Sequence, residues 1–338
     1  MNNTPFVTVV MPVYNAASSL GKAIKSLQKQ TYEDWELICV NDGSTDTSLE
    51  MLNCFAAIDR RIKVLSQENG GAASARRTAY RACCSEYIFN LDADDEISPD
   101  FLEECIRTAK ETGADVVVPN CISITPRGHS MDWNEAYGYS VGQTMSGQDA
   151  MRCTFVPSTM HGHLVWKISL IKQYACPDSD EYIHLFCEDE YFWRVLFWHS
   201  GKVVFSKGDY IYNCSTSGLT KRFKRNHTDY FQVCRQLLSL ADAEKMPEDI
   251  VRQIWEYYFR VVFNVQLRLD RFGKYSLSKS ERASVKEEIK KAYQENFSHR
   301  DMISFSDKSH SSLMRFATLS AYPLFKATCK AVNFIRSL

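Results

Sequence analysis

The chain has 338 residues, 45% of them hydrophobic and 24% charged, enough to bury a full core and build one large domain with a smaller appendage. Its 40 basic and 41 acidic residues leave a net charge of −1, which argues against a general nucleic-acid partner, because neutralising phosphates needs a cationic surplus. The 12 cysteines lie scattered, mostly in apolar segments such as Ile38-Cys39-Val40, with no CxxC pair, and read as small buried hydrophobes in a reducing compartment.

Met1-Asn2-Asn3-Thr4-Pro5 leads directly into a strand, without a basic or apolar leader region, and no run reaches the length of a membrane span. A soluble or peripheral cytoplasmic protein is expected. From Phe6 to about residue 120, short apolar runs alternate with helix-like stretches, the pattern of an α/β fold around a mostly parallel sheet. Expected strands are Thr8–Met11, Glu36–Val40, Lys63–Ser66, Tyr87–Leu91 and Asp115–Pro119; expected helices are Ala17–Gln30, Thr45–Ala57, Ala72–Ala82 and Asp100–Thr112. In such sheets ligands bind beyond the carboxyl ends of the strands.

Residues 120–215 are irregular and aromatic-rich, with one amphipathic helix expected over Glu188–His199. After Thr220 the pattern is helical: Ile250, Ile254, Trp255, Tyr258, Val262, Val265 and Leu269 recur at helical spacing and read as core. Ser278–Asn296 is a second, more charged helix, with the break between the two expected at Gly273 and the serines around it. Residues 311–338 carry Arg315, Lys326, Lys330 and Arg336 with no acid. This basic amphipathic tail suits either an anionic membrane surface or a helix docked on the protein's own core.

The polar motifs fall at strand ends. Asn90-Leu91-Asp92-Ala93-Asp94-Asp95 crowds carboxylates where the fourth strand emerges, an arrangement that a divalent cation with hard oxygen ligands relieves. Met11-Pro12-Val13-Tyr14-Asn15 puts an aromatic ring above the first strand, where it can line a base pocket. Asn41-Asp42-Gly43-Ser44-Thr45-Asp46 leaves Asp42 free to accept a base N–H once Ser44 or Thr45 caps the next helix. Glu68-Asn69-Gly70-Gly71 opens a helix of small residues carrying Arg76 and Arg77 within a turn of its start. Glu188-Asp189-Glu190 either favours the dipole of the helix it opens or offers a general base.

Together these segments, with Gln30-Thr31, Ser74-Ala75-Arg76 and Tyr87-Ile88, resemble the family 2 glycosyltransferases of the GT-A fold over about residues 6–215. The resemblance implies a metal-dependent, inverting enzyme of cell-surface polysaccharide assembly. It would move a single sugar from a nucleotide diphosphate-sugar, expected to be UDP-linked, to a saccharide or lipid-linked saccharide. Pro12, Tyr14 and Asp42 would hold base and ribose, with Arg76 near the nucleotide. Asp92 would approach the ribose or a metal-bound water, Asp94 would bind Mn2+ or Mg2+, and Asp189 would be the base. Trp166, Lys167 and Glu188 are expected acceptor or donor-sugar contacts, and Tyr212-Asn213 with Ser215, Ser217 and Thr220 resembles a segment that returns over the donor. The implied GT-A domain spans 1–220, with a nucleotide-sugar half 1–120 and an acceptor half 121–220, followed by the helical region 221–338. Asn41 and Arg77 depart from the usual pattern without removing a catalytic group.

Two rival functions meet obstacles in the same residues. A nucleotidyltransferase would need a glycine-rich basic loop after the first strand, where this chain has Pro12-Val13-Tyr14-Asn15. A catalytically silent nucleotide-sugar-binding or scaffold protein is disfavoured by the intact Asp42, Asp92, Asp94 and Asp189. If the tail meets lipid, the expected location is the inner face of the cell membrane.

Overall fold

The computed structural model describes residues 5–155, 158–176, 187–214, 223–303, 317 and 321–335; for Glu188, Phe334 and Ile335 it describes the backbone alone. Two compact units divide the chain: Met1–Met151, Thr159–His184 and Phe192–Thr216 form the first, and Arg152–Ser158, Leu185–Tyr191 and Ser217–Leu338 the second.

In the first unit the alternating pattern becomes β1 (Val7–Val13), α1 (Leu20–Gln28), β2 (Trp35–Asp42), α2 (Ser48–Ile58), β3 (Ile62–Gln67), α3 (Ala72–Ala82), β4 (Tyr87–Asn90), β5 (Glu96–Ile97), α4 (Phe101–Thr112) and β6 (Val116–Ile124). Then follow β7 (Ser130–Asp132), α5 (Trp133–Tyr137), β8 (Thr144–Ser146), α6 (Gly147–Arg152), β9 (Val165–Lys167), α7 (Ile168–Leu170), α8 (Glu188–His199), which begins in the second unit, and β10 (Lys202–Asn213). The sheet order is β3-β2-β1-β4-β9-β6-β10-β5. Its long ladders, β1 with β2 and β4, β2 with β3, and β6 with β10, are parallel, whereas the short strands β5, β7, β8 and β9 pair antiparallel.

β1 and β2 are buried along almost their whole length, as strands inside a parallel sheet are. Pro12 lies past the last β1–β4 rung, Val10↔Asn90, so its missing N–H removes no ladder bond. Helix α1 buries Leu20, Ala23, Ile24 and Leu27, one stripe at helical spacing. The core between sheet and α4 centres on Phe89, whose ring lies 4.6 Å from Phe101 and 5.9 Å from Tyr210. Burying such a side chain contributes about 1.5–3 kcal/mol.

Both first helices begin about three residues later than expected, and one network explains it. The backbone N–H groups of Asn15, Ala16 and Ala17 donate to Ser44 Oγ, Ser48 Oγ and Asp46 Oδ2 at 3.1, 2.9 and 3.1 Å. Residues 15–17 and 44–47 therefore form two interlocked loops instead of helix starts.

The second unit is helical: α9 (Asp229–Ala243), α10 (Glu248–Ser276), α11 (Lys279–Ser298) and α12 (Tyr322–Ile335). The apolar stripe of α10 packs with Val285, Ile289 and Tyr293 of α11 and with Phe325 and Cys329 of α12. The break falls among the expected serines, at Leu277 between Ser276 and Ser278, while α10 continues through Gly273. The stop is enforced by Ser278, whose Oγ accepts from Glu281 N at 3.2 Å while its own N donates to Glu281 Oε2 at 2.8 Å. Of the two readings of the tail, its described helix takes the second: Phe325 and Cys329 are fully buried in the unit's own core. No helix among the described residues is long and apolar enough to cross a membrane.

All twelve cysteines are free thiols. Cys39, Cys83, Cys105, Cys121, Cys187, Cys234 and Cys329 are buried as small hydrophobes, while Cys54 and Cys84 are exposed, contrary to a uniformly buried set.

Candidate active site

The strand order turns back on itself at β1, with β2 on one side and β4 on the other, which opens a crevice at the carboxyl edge. Its first wall is the loop pair after β1 and β2. Asn15, at φ 49, adopts a left-handed conformation that asparagine tolerates, and its Oδ1 accepts from Thr45 N at 2.8 Å and Asp46 N at 3.3 Å. This tie fixes the loop that carries Tyr14, whose ring is 52% exposed above the strand ends. Pro12 stands at the base of that loop and is half-buried.

Asp42 is buried, and its carboxylate has a partner that the sequence did not reveal. Its Oδ1 accepts from Gln67 Nε2 and Gly70 N, and its Oδ2 from Gly71 N, each at 2.8 Å. The glycine turn after β3 is thus wrapped around the Asp42 carboxylate. Gly71 enters α3 at φ 88, and a Cβ on Gly70 would come within 2.7 Å of Ser74 Oγ, so both positions need glycine.

The second wall is the turn after β4. Arg76 Nη2, on α3, donates to Asp92 Oδ1 at 2.9 Å. Burial opposes ionisation of Asp92, but the Arg76 guanidinium, with His163 and the hydrogen bond from Arg76, outweighs it and holds the carboxyl below the usual range. Asp95 lies inside the turn, accepting from Tyr210 Oη at 2.6 Å and Asn213 N at 2.8 Å, so the end of β10 is pinned to the acidic turn. Burial pushes its carboxyl up to about 7; the two hydrogen bonds work against this and the charges of Asp92 and Asp94 add to it. Asp94 is exposed, raised by burial and by Asp92, and its carbonyl accepts from Asn213 Nδ2 at 3.1 Å.

His163 completes this wall. β9 runs antiparallel between β4 and β6, with Val165 opposite Phe89, so the residues ahead of it lie at the carboxyl edge. The His163 ring stacks on Tyr210 at 3.7 Å, and burial pushes its pKa down to about 4 against the pull of Asp92. A neutral imidazole keeps a lone pair for a metal. Ligand atoms of Asp92, Asp95 and His163 all lie within 4.8 Å of one another. Two carboxylates and an imidazole, at a turn where Asp92 raises Asp94 and both raise Asp95, fit a divalent cation. Asp94, the expected ligand, is not one of the three converging groups.

Two expected sugar contacts are corrected. Trp166 is 1% exposed, in the middle of β9 with its ring 5.0 Å from Phe197, and is core. Lys167 pairs with Tyr87 at the start of β4, the amino edge of the sheet, where its Nζ lies 3.8 Å from Asp115 Oδ1. The antiparallel direction of β9 explains both errors: moving along it from His163 to Lys167 leaves the site. The Glu188 side chain and Ser215, Ser217 and Thr220 lie outside the described residues.

In the second unit Asp189 stands in the first turn of α8. Beside it Glu190 Oε2 accepts from Tyr257 Oη at 3.1 Å. Burial raises the Tyr230 phenol, and the charges of Glu190 and Asp189 raise it further.

Residues 8–173 match the model of glycosyl transferase family 2. The glycosyltransferase GlyG of Streptococcus pneumoniae is 40% identical over 115 residues, which cover 34% of this chain and 38% of GlyG. The putative glycosyltransferase EpsH of Bacillus subtilis is 28% identical over 232 residues, 66% of this chain and 64% of EpsH. The matches therefore span less than two thirds of either relative. The crystal structure of S. aureus TarS 1–349 superposes with a TM-score of 0.61 at 16% identity, covering 89% of this chain and 93% of that one, which identifies the fold. The segment that builds the carboxyl edge from β1 to β9, just under half of the chain, carries the sequence of glycosyl transferase family 2.

Proposed function

We propose that the chain transfers a single sugar, with inversion, from a UDP-linked donor to a hydroxyl of a saccharide or lipid-linked saccharide in cell-surface polysaccharide synthesis. The observation that carries this reading is the crevice at the β1 switch point, walled by the Asp42-held glycine turn on one side and the Arg76, Asp92, Asp95 and His163 group on the other. Support for the donor comes from the TarS 1–349 fragment, which has been solved in complex with UDP-GlcNAc at a TM-score of 0.57 to this chain.

In this reading Tyr14 and Pro12 flank the base, and Asp42 orders the turn that meets the nucleotide and offers the remaining lone pair of its Oδ2 to the base N–H. Arg76 places positive charge near the diphosphate while holding Asp92 ionised toward the ribose. A divalent cation, Mn2+ or Mg2+, held by Asp92, Asp95 and His163 and by the exposed Asp94 as a further oxygen ligand, would supply charge to stabilise the departing diphosphate. Asp189 accepts the acceptor's hydroxyl proton as its oxygen attacks the anomeric carbon; the bond from that carbon to the diphosphate breaks, and its electron pair leaves with UDP. Residues 1–220 form the catalytic domain and 221–338 a helical appendage. The reaction takes place in the cytoplasm, and for a lipid-linked acceptor at the inner membrane face. With the apolar face of α12 turned inward, peripheral contact there would rely on the tail's basic side chains.

A thermal-shift screen of nucleotide-sugars with Mn2+ tests the reading, since a ligand that prefers the folded state raises its melting temperature. UDP-sugars should raise it more than GDP- or CMP-sugars. A screen in which no nucleotide-sugar shifts the transition overturns it.

A further inference from the structure

The helical unit contains a cavity of about 680 Å³ lined by His227, Tyr230, Tyr257, Asn264, Arg268 and Arg271, among others. Its size lies within the range of about 300–1,000 Å³ that small-molecule sites occupy. The ion pairs of this unit use Arg152, Arg225, Arg235, Arg252 and Arg260; among the described residues Arg268 and Arg271 form none. Arg268 Nη1 instead lies 3.1 Å from His227 Nε2, and the Arg271 guanidinium sits 5.2 Å from the Phe272 ring centroid. Burial, with the nearby Arg268 and Lys224, keeps His227 below its usual pKa, so the imidazole accepts from Arg268 without balancing its charge. Positions three apart on one helix share a face. Two guanidiniums thus meet one cavity that has no carboxylate among its lining residues, a geometry suited to a phosphate or carboxylate.

The same cavity adjoins the first turn of α8. Tyr257 lines it and donates to Glu190, and Tyr230 lines it and feels the charges of Glu190 and Asp189. Every residue in this chain of contacts belongs to the second unit.

We propose that this cavity binds an anionic group of the acceptor, a phosphate ester, diphosphate or carboxylate, and so holds the acceptor beside Asp189. The inference rests on the reading of Asp189 as the base. It narrows the acceptor to a saccharide carrying negative charge within reach of the hydroxyl that is glycosylated.

The test is isothermal titration of the full chain, in EDTA and without nucleotide, with inorganic pyrophosphate and separately with methyl glucuronide. At least one should bind, and the affinity should fall as salt rises from about 50 to about 300 mM. The double variant Arg268→Gln/Arg271→Gln should weaken that binding by about tenfold or more, since it removes charge-assisted contacts. Arg268→Lys/Arg271→Lys should retain a measurable part of it, and circular dichroism should show unchanged helix content in both. Binding of pyrophosphate points to a lipid-linked diphosphate, and binding of the glucuronide to an acidic saccharide. The proposal is overturned if neither probe binds, or if the folded glutamine variant binds as the wild type does. Because nucleotide is absent, a failure of the donor reading would show in the nucleotide-sugar screen and leave this titration unaffected.

Discussion

Replacing Asp42 separates a carboxylate that builds the crevice from one that serves the nucleotide alone. Its side chain is 2% exposed and accepts three N–H groups, each at 2.8 Å. Hydrogen bonds to an ionised partner contribute about 1.5–3 kcal/mol each, so the three total ~5–9 kcal/mol before any compensation. Gly70 and Gly71 are exposed, so their amides regain water when the carboxylate is removed, and Gln67 keeps Ser74 Oγ at 3.1 Å and Thr78 Oγ1 at 2.6 Å. Asp42→Ala should therefore cost about 3–4 kcal/mol of stability. Asp42→Asn keeps one acceptor oxygen and turns an amide against the third donor, and should cost about 1–2 kcal/mol. Gly71→Ala is a useful control, because its φ of 88 with ψ of 163 is strained for alanine although the space is open; it should cost about 1–3 kcal/mol. Urea unfolding followed by tryptophan fluorescence measures all three, with UDP affinity determined in parallel. The reasoning fails if Asp42→Ala stays within about 1 kcal/mol of wild type while UDP binding is lost, because the carboxylate would then serve the nucleotide and not the turn.

His163→Ala should weaken Mn2+ binding by roughly tenfold or more, read by paramagnetic resonance titration, with UDP binding in EDTA little changed; unchanged Mn2+ affinity would remove His163 from the cation group. Burial pushes His161 down to about 3 from 6.5, with the adjacent His163 adding to the effect. The unfolded chain gains that proton below pH 6.5 and the folded chain does not, so its contribution is fully present above pH 6.5 and is lost as pH falls toward 3. The slope is at most about 1.4 kcal/mol per pH unit, and urea midpoints in His161→Gln should show less acid sensitivity. A core Trp166 predicts that Trp166→Ala costs about 3–5 kcal/mol in unfolding experiments; unchanged stability with a raised acceptor KM would restore its reading as a sugar contact.

Much of the first unit was legible because its strands are apolar runs between turn residues, and each expected strand of the parallel half matches an observed one within a few residues at its ends. The acidic turn and Arg76 were legible for the same reason: a polar motif after a buried strand can only lie at the sheet edge. What escaped was set by pairing across the chain. Nothing local to Asn15 shows that its side chain will tie the loop at Thr45 and Asp46. Trp166 lost its expected role and His163, given none, joined the site, because β9 is antiparallel, which three residues of sequence do not reveal. Of the expected break at Gly273 and its neighbouring serines, the serines hold it: α10 runs on through Gly273, and the Ser278–Glu281 capping pair starts the next helix.

The most direct test of the donor crevice is UDP release from a UDP-sugar, followed with and without Mn2+ in the wild type, Asp94→Ala and Asp189→Asn. The account predicts Mn2+-dependent release in the wild type, its loss in a folded Asp94→Ala, and near-normal UDP-sugar binding without turnover in Asp189→Asn. Full release in EDTA, or wild-type turnover in either variant, would contradict it.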